Sequence, residues 1–108
     1  MFYLKNSIIS LSIFLITLYG AVFNQFVIYH NNNKMPVYAD WGYTNSIEHF
    51  IYTNISQVNY FLLTDIIPIE YKNREGRISI GDILMISGIL SQIILFLSTL
   101  NESLTNAT

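Results

Sequence analysis

Few side chains in this 108-residue chain are suited to chemistry. His30 and His49 are the only histidines, and there is no cysteine. Disulfides, thiol catalysis and cysteine zinc sites are therefore excluded. Glu48 and His49 are adjacent, but the second histidine of a zinc-protease helix is missing. Asp40, Asp65 and Asp82 fall on different segments. A membrane enzyme would need His49 to converge with Asp65 or Asp82 as an acid–base pair. No spacing in the sequence demands that. The expectation is a non-enzyme with no catalytic residue, cofactor or metal ligand.

The other polar groups to be explained are amides within apolar surroundings. Asn24 and Gln25 lie in the first apolar stretch and Gln92 in the second. Polar side chains inside a membrane need partners. In an antiparallel hairpin, a direct Asn24–Gln92 bond requires an offset. Gly88 with Gln92, and Ser87 with Ser91, put small or polar groups one turn apart, where helices can approach closely. Packing of the two stretches on each other is one use of these groups. A seam with a second copy or a larger partner is the other.

The elements that must hold these groups follow from the charge pattern. The chain is 52% hydrophobic and 11% charged, with a formal net charge of −2. Residues 6–33 and 83–101 carry no charge, and ten of the twelve charges lie between Lys34 and Asp82. That distribution excludes a small soluble globule, and the acidic balance excludes a nucleic-acid binder. The uncharged stretches at 7–29 and about 81–100 each reach about 30 Å or more as helices, enough to span a bilayer. For the first, a cleaved signal peptide is the rival. Its apolar run is long for that, and the Gly20-Ala21 pair follows large residues. The second span begins at Ser79-Ile80-Gly81-Asp82, a capping box with Ser79 as N-cap and Asp82 at the third helical position.

Between the spans, Asn31-Asn32-Asn33 ends the first helix and Met35-Pro36-Val37 is extended. Asn45 with Glu48 reads as a second helix start. Ile47, Phe50, Ile51, Ile55, Val58, Phe61 and Leu62 then recur at helical spacing. This predicts an amphipathic interfacial helix over about 46–63, dotted with aromatics that suit the headgroup layer. Residues 66–71 and 77–80 flank a turn containing Gly76 and predict a short β-hairpin. The tail, 101–108, is polar and expected to fray. The fold class expected is an all-α membrane protein, one domain over 1–108.

Three segments form a pattern: Asn-Lys-Met-Pro-Val at 33–37, Leu-Thr-Asp-Ile-Ile-Pro-Ile at 63–69, and Ile-Ser-Ile-Gly-Asp-Ile-Leu with Gly88 at 78–88. Together they resemble an uncharacterised domain-of-unknown-function family of small, multi-span bacterial and phage membrane proteins. The resemblance covers roughly residues 24–100. It implies a membrane location and a bacterial or phage source, and it supplies no activity.

The function expected is binding, to the chain itself or to a larger membrane protein. Met35, Pro36, Asp65 and Asp82 are the expected contacts in the loop, with Asn24 and Gln92 inside the bilayer. A holin-like pore former is the alternative, and a membrane enzyme using the loop carboxylates and His49 is a third. The partners implied are the lipid bilayer and a homo-oligomer or larger membrane protein, with no nucleic acid. Lys34, Lys72, Arg74 and Arg77 against Lys5 alone at the ends place the loop in the cytoplasm and both termini outside; that the membrane is a bacterial cytoplasmic one is what the resemblance implies.

Overall fold

The computed structural model describes residues 2–38, 48–71 and 74–106. Two helices dominate: α1, Phe2–Tyr29, and α2, Ile80–Asn106. Each is about 40 Å long at 1.5 Å per residue, and both are long and apolar enough to cross a membrane. Asn24 meets Asp82, Ser10 meets Gln92 and Asn6 meets Thr99, so the helices run antiparallel side by side.

Both helices outrun the expected spans. α1 includes Lys5 and Asn6. α2 continues through Glu102 to Asn106, in place of the expected frayed tail; only 107 and 108 lie outside the described residues. Residues 101–106 hold no glycine or proline, and the Thr105 hydroxyl donates to the Asn101 carbonyl at 2.8 Å, so nothing stops the helix there.

The close approach of the helices centres on Gly20 and Gly81. A Cβ on Gly20 would stand 2.5 Å from the Gly81 carbonyl oxygen, so any side chain there would push the helices apart. Further along, Gly88 is buried against Thr17. Gly81 and Gly88 are thus used within the hairpin, whereas Ser87 and Ser91 are exposed.

The connection is not all-α. Its described part builds two small sheets. In one, β1 (Met35–Tyr38) pairs in parallel with β2 (His49–Tyr52), Met35 opposite His49 and Tyr38 opposite Tyr52. Asp65 extends that sheet by a single parallel bridge to Val37. In the other, β3 (Ile67–Tyr71) and β4 (Arg74–Ile78) form an antiparallel hairpin. The hairpin matches the expectation in kind, but Gly76 sits in β4 opposite Ile69, not in the turn.

The amphipathic helix expected over 46–63 does not form in its described part; Asn45 and the first residues of that stretch lie outside the described residues. His49-Phe50-Ile51-Tyr52 include β-branched and aromatic types that suit a strand, and β1 offers them a partner. Beyond them, Asn54 and Gln57 close a capping box around one 3-10 turn, Ile55–Gln57, after which Val58 is extended. A second 3-10 turn, Phe61–Leu63, follows Tyr60 in the left-handed region.

α1 stops as the asparagine run predicts. Asn32 and Asn33 have φ of 58° and 62°, a conformation that asparagine tolerates better than most side chains. The Asn33 N–H then donates to the Ile28 carbonyl at 3.0 Å. The core lies where this helix end meets the connection. It buries Val27, Met35, Pro36, Val37 and Tyr52 together with Asn24, Asn31, Thr64, Asp65 and Ser79.

Candidate functional site: a polar cap over the helix pair

Ser79 and Asp82 form the capping box that their spacing predicts. The Ser79 N–H donates to Asp82 Oδ2 at 3.1 Å, and the Asp82 N–H donates to Ser79 Oγ at 3.1 Å. Asn24 of α1 completes the arrangement. Its Nδ2 donates to Asp82 Oδ1 at 2.9 Å, and its Oδ1 accepts from Ser79 Oγ at 2.7 Å. The serine hydroxyl thus gives its one hydrogen to Asn24 and takes one from the helix backbone. The polar group inside α1 is spent on sealing the start of α2.

A second clasp joins α1 to the 3-10 region. Asn31 is buried; its Nδ2 donates to the Val27 carbonyl at 2.7 Å and to the Asn59 carbonyl at 3.0 Å. Its Oδ1 accepts from the Asn59 N–H at 2.9 Å, while Asn59 Nδ2 donates to the His30 carbonyl at 2.8 Å. Carbonyls at the end of α1, which have no partner within the helix, are satisfied this way.

Asp65 lies between the two clasps. Its N–H donates to the Pro36 carbonyl and its carbonyl accepts from the Tyr38 N–H, both at 3.0 Å. That fixes the side chain in the interior at 9% exposure. Oδ2 is 3.9 Å from His49 Nε2, and Oδ1 has no hydrogen-bond partner. Burial pushes the Asp65 carboxyl up from the usual range to about 7, and the Asp82 charge pushes it the same way. Beside it the Tyr52 hydroxyl and Thr64 Oγ1 are 2.6 Å apart. Thr64 Oγ1 donates to the Phe61 carbonyl, so the tyrosine is the donor of the pair. Burial raises the Tyr52 hydroxyl above its ordinary value, against the lowering effect of Thr64.

Of the six expected contact residues, the structure gathers five at this end. Met35 and Pro36 are buried in the cap, with Asp65 bonded to Pro36 and Asn24 bonded to Asp82. Gln92 lies apart, donating to the Ser10 carbonyl at 2.8 Å and accepting from Ser10 Oγ at 3.1 Å. Asn24 and Gln92 each find another partner, so no direct bond between them is needed. Sequence reasoning missed Ser10, Asn31, Asn59, Tyr52 and Thr64 as polar partners. Their signal was available only as a requirement: each buried amide or hydroxyl must meet a complementary group. No three histidine or acidic side chains gather at metal-binding range among the described residues.

Fold and site together define a two-helix hairpin closed at one end by a small, internally bonded cap. The chain belongs to a family of unknown function, DUF5317, which it matches over residues 1–94. No curated protein and no solved structure matches it.

Proposed function

We propose that the chain is an integral membrane hairpin that acts without catalysis, holding its cap at the membrane surface and meeting a larger membrane protein or a second copy through the outer faces of its helices. The observation carrying this reading is what the helices leave uncovered. Leu11, Phe14, Tyr19 and Val22 on α1, and Ile94, Phe96 and Leu97 on α2, are exposed. Apolar surface on that scale needs cover by lipid or protein. The six residues expected to meet a partner make their bonds within the chain or are buried in it, so contacts with others fall to the apolar faces. A pore former has less support, because Asn24, Ser10 and Gln92 bond across the hairpin and do not form a wet face.

One observation favours a membrane enzyme as the second reading: His49 and Asp65 do converge, at 3.9 Å, and a carboxyl shifted to about 7 suits proton transfer. A substrate would have to reach Asp65 past His49, which is 45% exposed. With the four basic residues of the connection, the cap faces the cytoplasm and both termini lie outside.

Extraction of membranes at alkaline pH is expected to leave the chain in the pellet; release would refute the insertion. Single cysteines at Asn73 and Thr105 are expected to react with an impermeant reagent from opposite sides, Thr105 from outside. Purification in mild detergent followed by light scattering is expected to return more than one chain or a second protein. A clean monomer would overturn the binding reading.

A further inference from the structure

The end of α1 carries a cation that no other described residue pairs with. Lys34 is half-buried and makes no ion pair among the described residues. It lines a pocket of about 390 Å³ with His30, Asn32, Phe50, Gln57 and Asn59. The Gln57 Oε1 is occupied, accepting from the N–H groups of Thr53 and Asn54 at 3.1 Å each. Its amide N–H groups therefore face away from that turn and remain available. Lys34 is not needed to cap α1, since the carbonyls of Phe26, Val27, Ile28 and His30 already accept from His30, Asn31, Asn33 and Asn59.

Directly beside this pocket, α1 presents a groove of about 410 Å³ lined by Ala21, Val22, Gln25, Phe26 and Tyr29. These five positions form one stripe along the helix. The two hollows adjoin through His30, whose ring lies 4.5 Å from Phe26 and 5.2 Å from Tyr29. Tyr60 closes the corner, 4.7 Å from Phe26. The surface therefore runs from an apolar channel, past aromatic rings of the kind that favour the headgroup layer, to an ammonium unpaired among the described residues, with amide donors beside it.

We propose that this surface is a site for one anionic phospholipid, with its phosphate on Lys34 and the Gln57 amide and an acyl chain along the Ala21–Tyr29 stripe. Charge complementarity selects the anion, because no carboxylate among the described residues neutralises Lys34. The adjoining groove selects a lipid over a free phosphate, because a free anion leaves it uncovered. The site rests on the bilayer insertion proposed above.

The test uses the purified full chain in nonionic detergent, titrated with phosphatidylglycerol, with phosphatidylcholine of the same acyl chains, or with inorganic phosphate. Bound lipid is counted by native mass spectrometry. Phosphatidylglycerol is expected to bind about tenfold more tightly than phosphatidylcholine, whose phosphate is the same but whose choline cation repels Lys34. Lys34→Gln is expected to erase that preference and Lys34→Arg to keep it. Lys5→Gln, at the other end of α1, is expected to leave it unchanged. Gln57→Glu keeps the acceptor for Thr53 and Asn54 while placing a negative charge at the phosphate. It is expected to weaken phosphatidylglycerol and spare phosphatidylcholine, and it decides the matter if circular dichroism shows Lys34→Gln unfolded. Equal binding of the two lipids, or a preference surviving both Lys34→Gln and Gln57→Glu, would overturn the site. So would displacement of the lipid by an equal concentration of inorganic phosphate. A chain retained in the alkaline pellet that shows no lipid preference fails this proposal alone, whereas release at alkaline pH fails the insertion and the site together.

Discussion

Replacing Asp65 by asparagine tests whether a carboxyl held inside the cap controls its stability. The folded state raises the Asp65 carboxyl from 3.8 to about 7, chiefly by burial. The direction follows from proton counting. Between about pH 4 and pH 7 the folded chain holds this proton more firmly than the unfolded chain does, so stability falls as pH rises across that window. Below it the stability is fully present, and above about pH 7 the loss is complete. A tenfold change in proton affinity corresponds to about 1.4 kcal/mol, so the rise of the Asp65 carboxyl corresponds to about 4 kcal/mol. Relaxation of the fold around the charged carboxyl reduces this to about 2 kcal/mol. Asp65→Asn has a neutral side chain of the same shape. It is expected to lose this slope and to exceed the wild type by about 2 kcal/mol at pH 8. Unfolding by sodium dodecyl sulfate in mixed micelles, followed by tyrosine fluorescence from pH 4 to pH 8, measures the difference. His49 Nε2 lies 3.9 Å from the Asp65 carboxylate, so His49→Gln belongs in the series. A slope that survives in His49→Gln and disappears in Asp65→Asn belongs to the carboxyl. A slope that survives in Asp65→Asn would refute the reasoning.

Three further outcomes are expected. Ser79→Ala removes the cap hydroxyl and its bond to Asn24, and should cost about 1–2 kcal/mol; Asp82→Asn should cost less than Asp82→Ala, read in the same unfolding assay. If Asp82→Asn instead abolishes a cellular phenotype while stability stays near wild type, Asp82 is a chemical residue before it is a cap. Gly88→Val drives a side chain into Thr17 and should cost about 1–3 kcal/mol or separate the helices, visible as lost cross-linking between cysteines at Ser10 and Gln92. Asn31→Ala unclips Asn59 and should cost about 2–3 kcal/mol, with hydrogen exchange rising first at residues 55–63.

The helices are legible because residues 6–33 and 83–101 carry no charge, and the Ser79–Asp82 cap is legible because its spacing is local. The β-hairpin is legible in kind, through its flanking β-branched residues. The stretch 46–63 misleads because Phe50, Ile51, Ile55 and Val58 keep helical spacing while His49–Tyr52 have a strand partner fourteen residues earlier, in β1. Periodicity within a segment carries no information about such a partner. The same holds for the site. Asn24 is recognisable as needing a hydrogen-bond partner, but Ser79 and Asp82 already satisfy each other by their spacing alone. Nothing in their local pattern shows that a third group joins them. Gly20 enters the sequence reading only in the argument against a cleaved signal peptide, since its packing role depends on which α2 residue lies opposite.

The bond pattern along the hairpin is uneven. At the cap end, Asn24 is tied twice, to Asp82 and Ser79, close to the Gly20–Gly81 crossing. Toward the far end Ser10 and Gln92 exchange two bonds, and beyond them a single Asn6–Thr99 bond of 3.3 Å joins the helices. The pair is therefore a pair of scissors whose rivet is Asn24. From there to Asn6 the blade is about 27 Å long. A rocking of about 5° about the rivet moves the tips by about 2 Å over that length, so it must part the Ser10–Gln92 pair as well as Asn6 and Thr99, while the Asn24 ties hold. Whatever leans against the apolar faces near the termini can thus change the angle of the hairpin without unmaking its folded end.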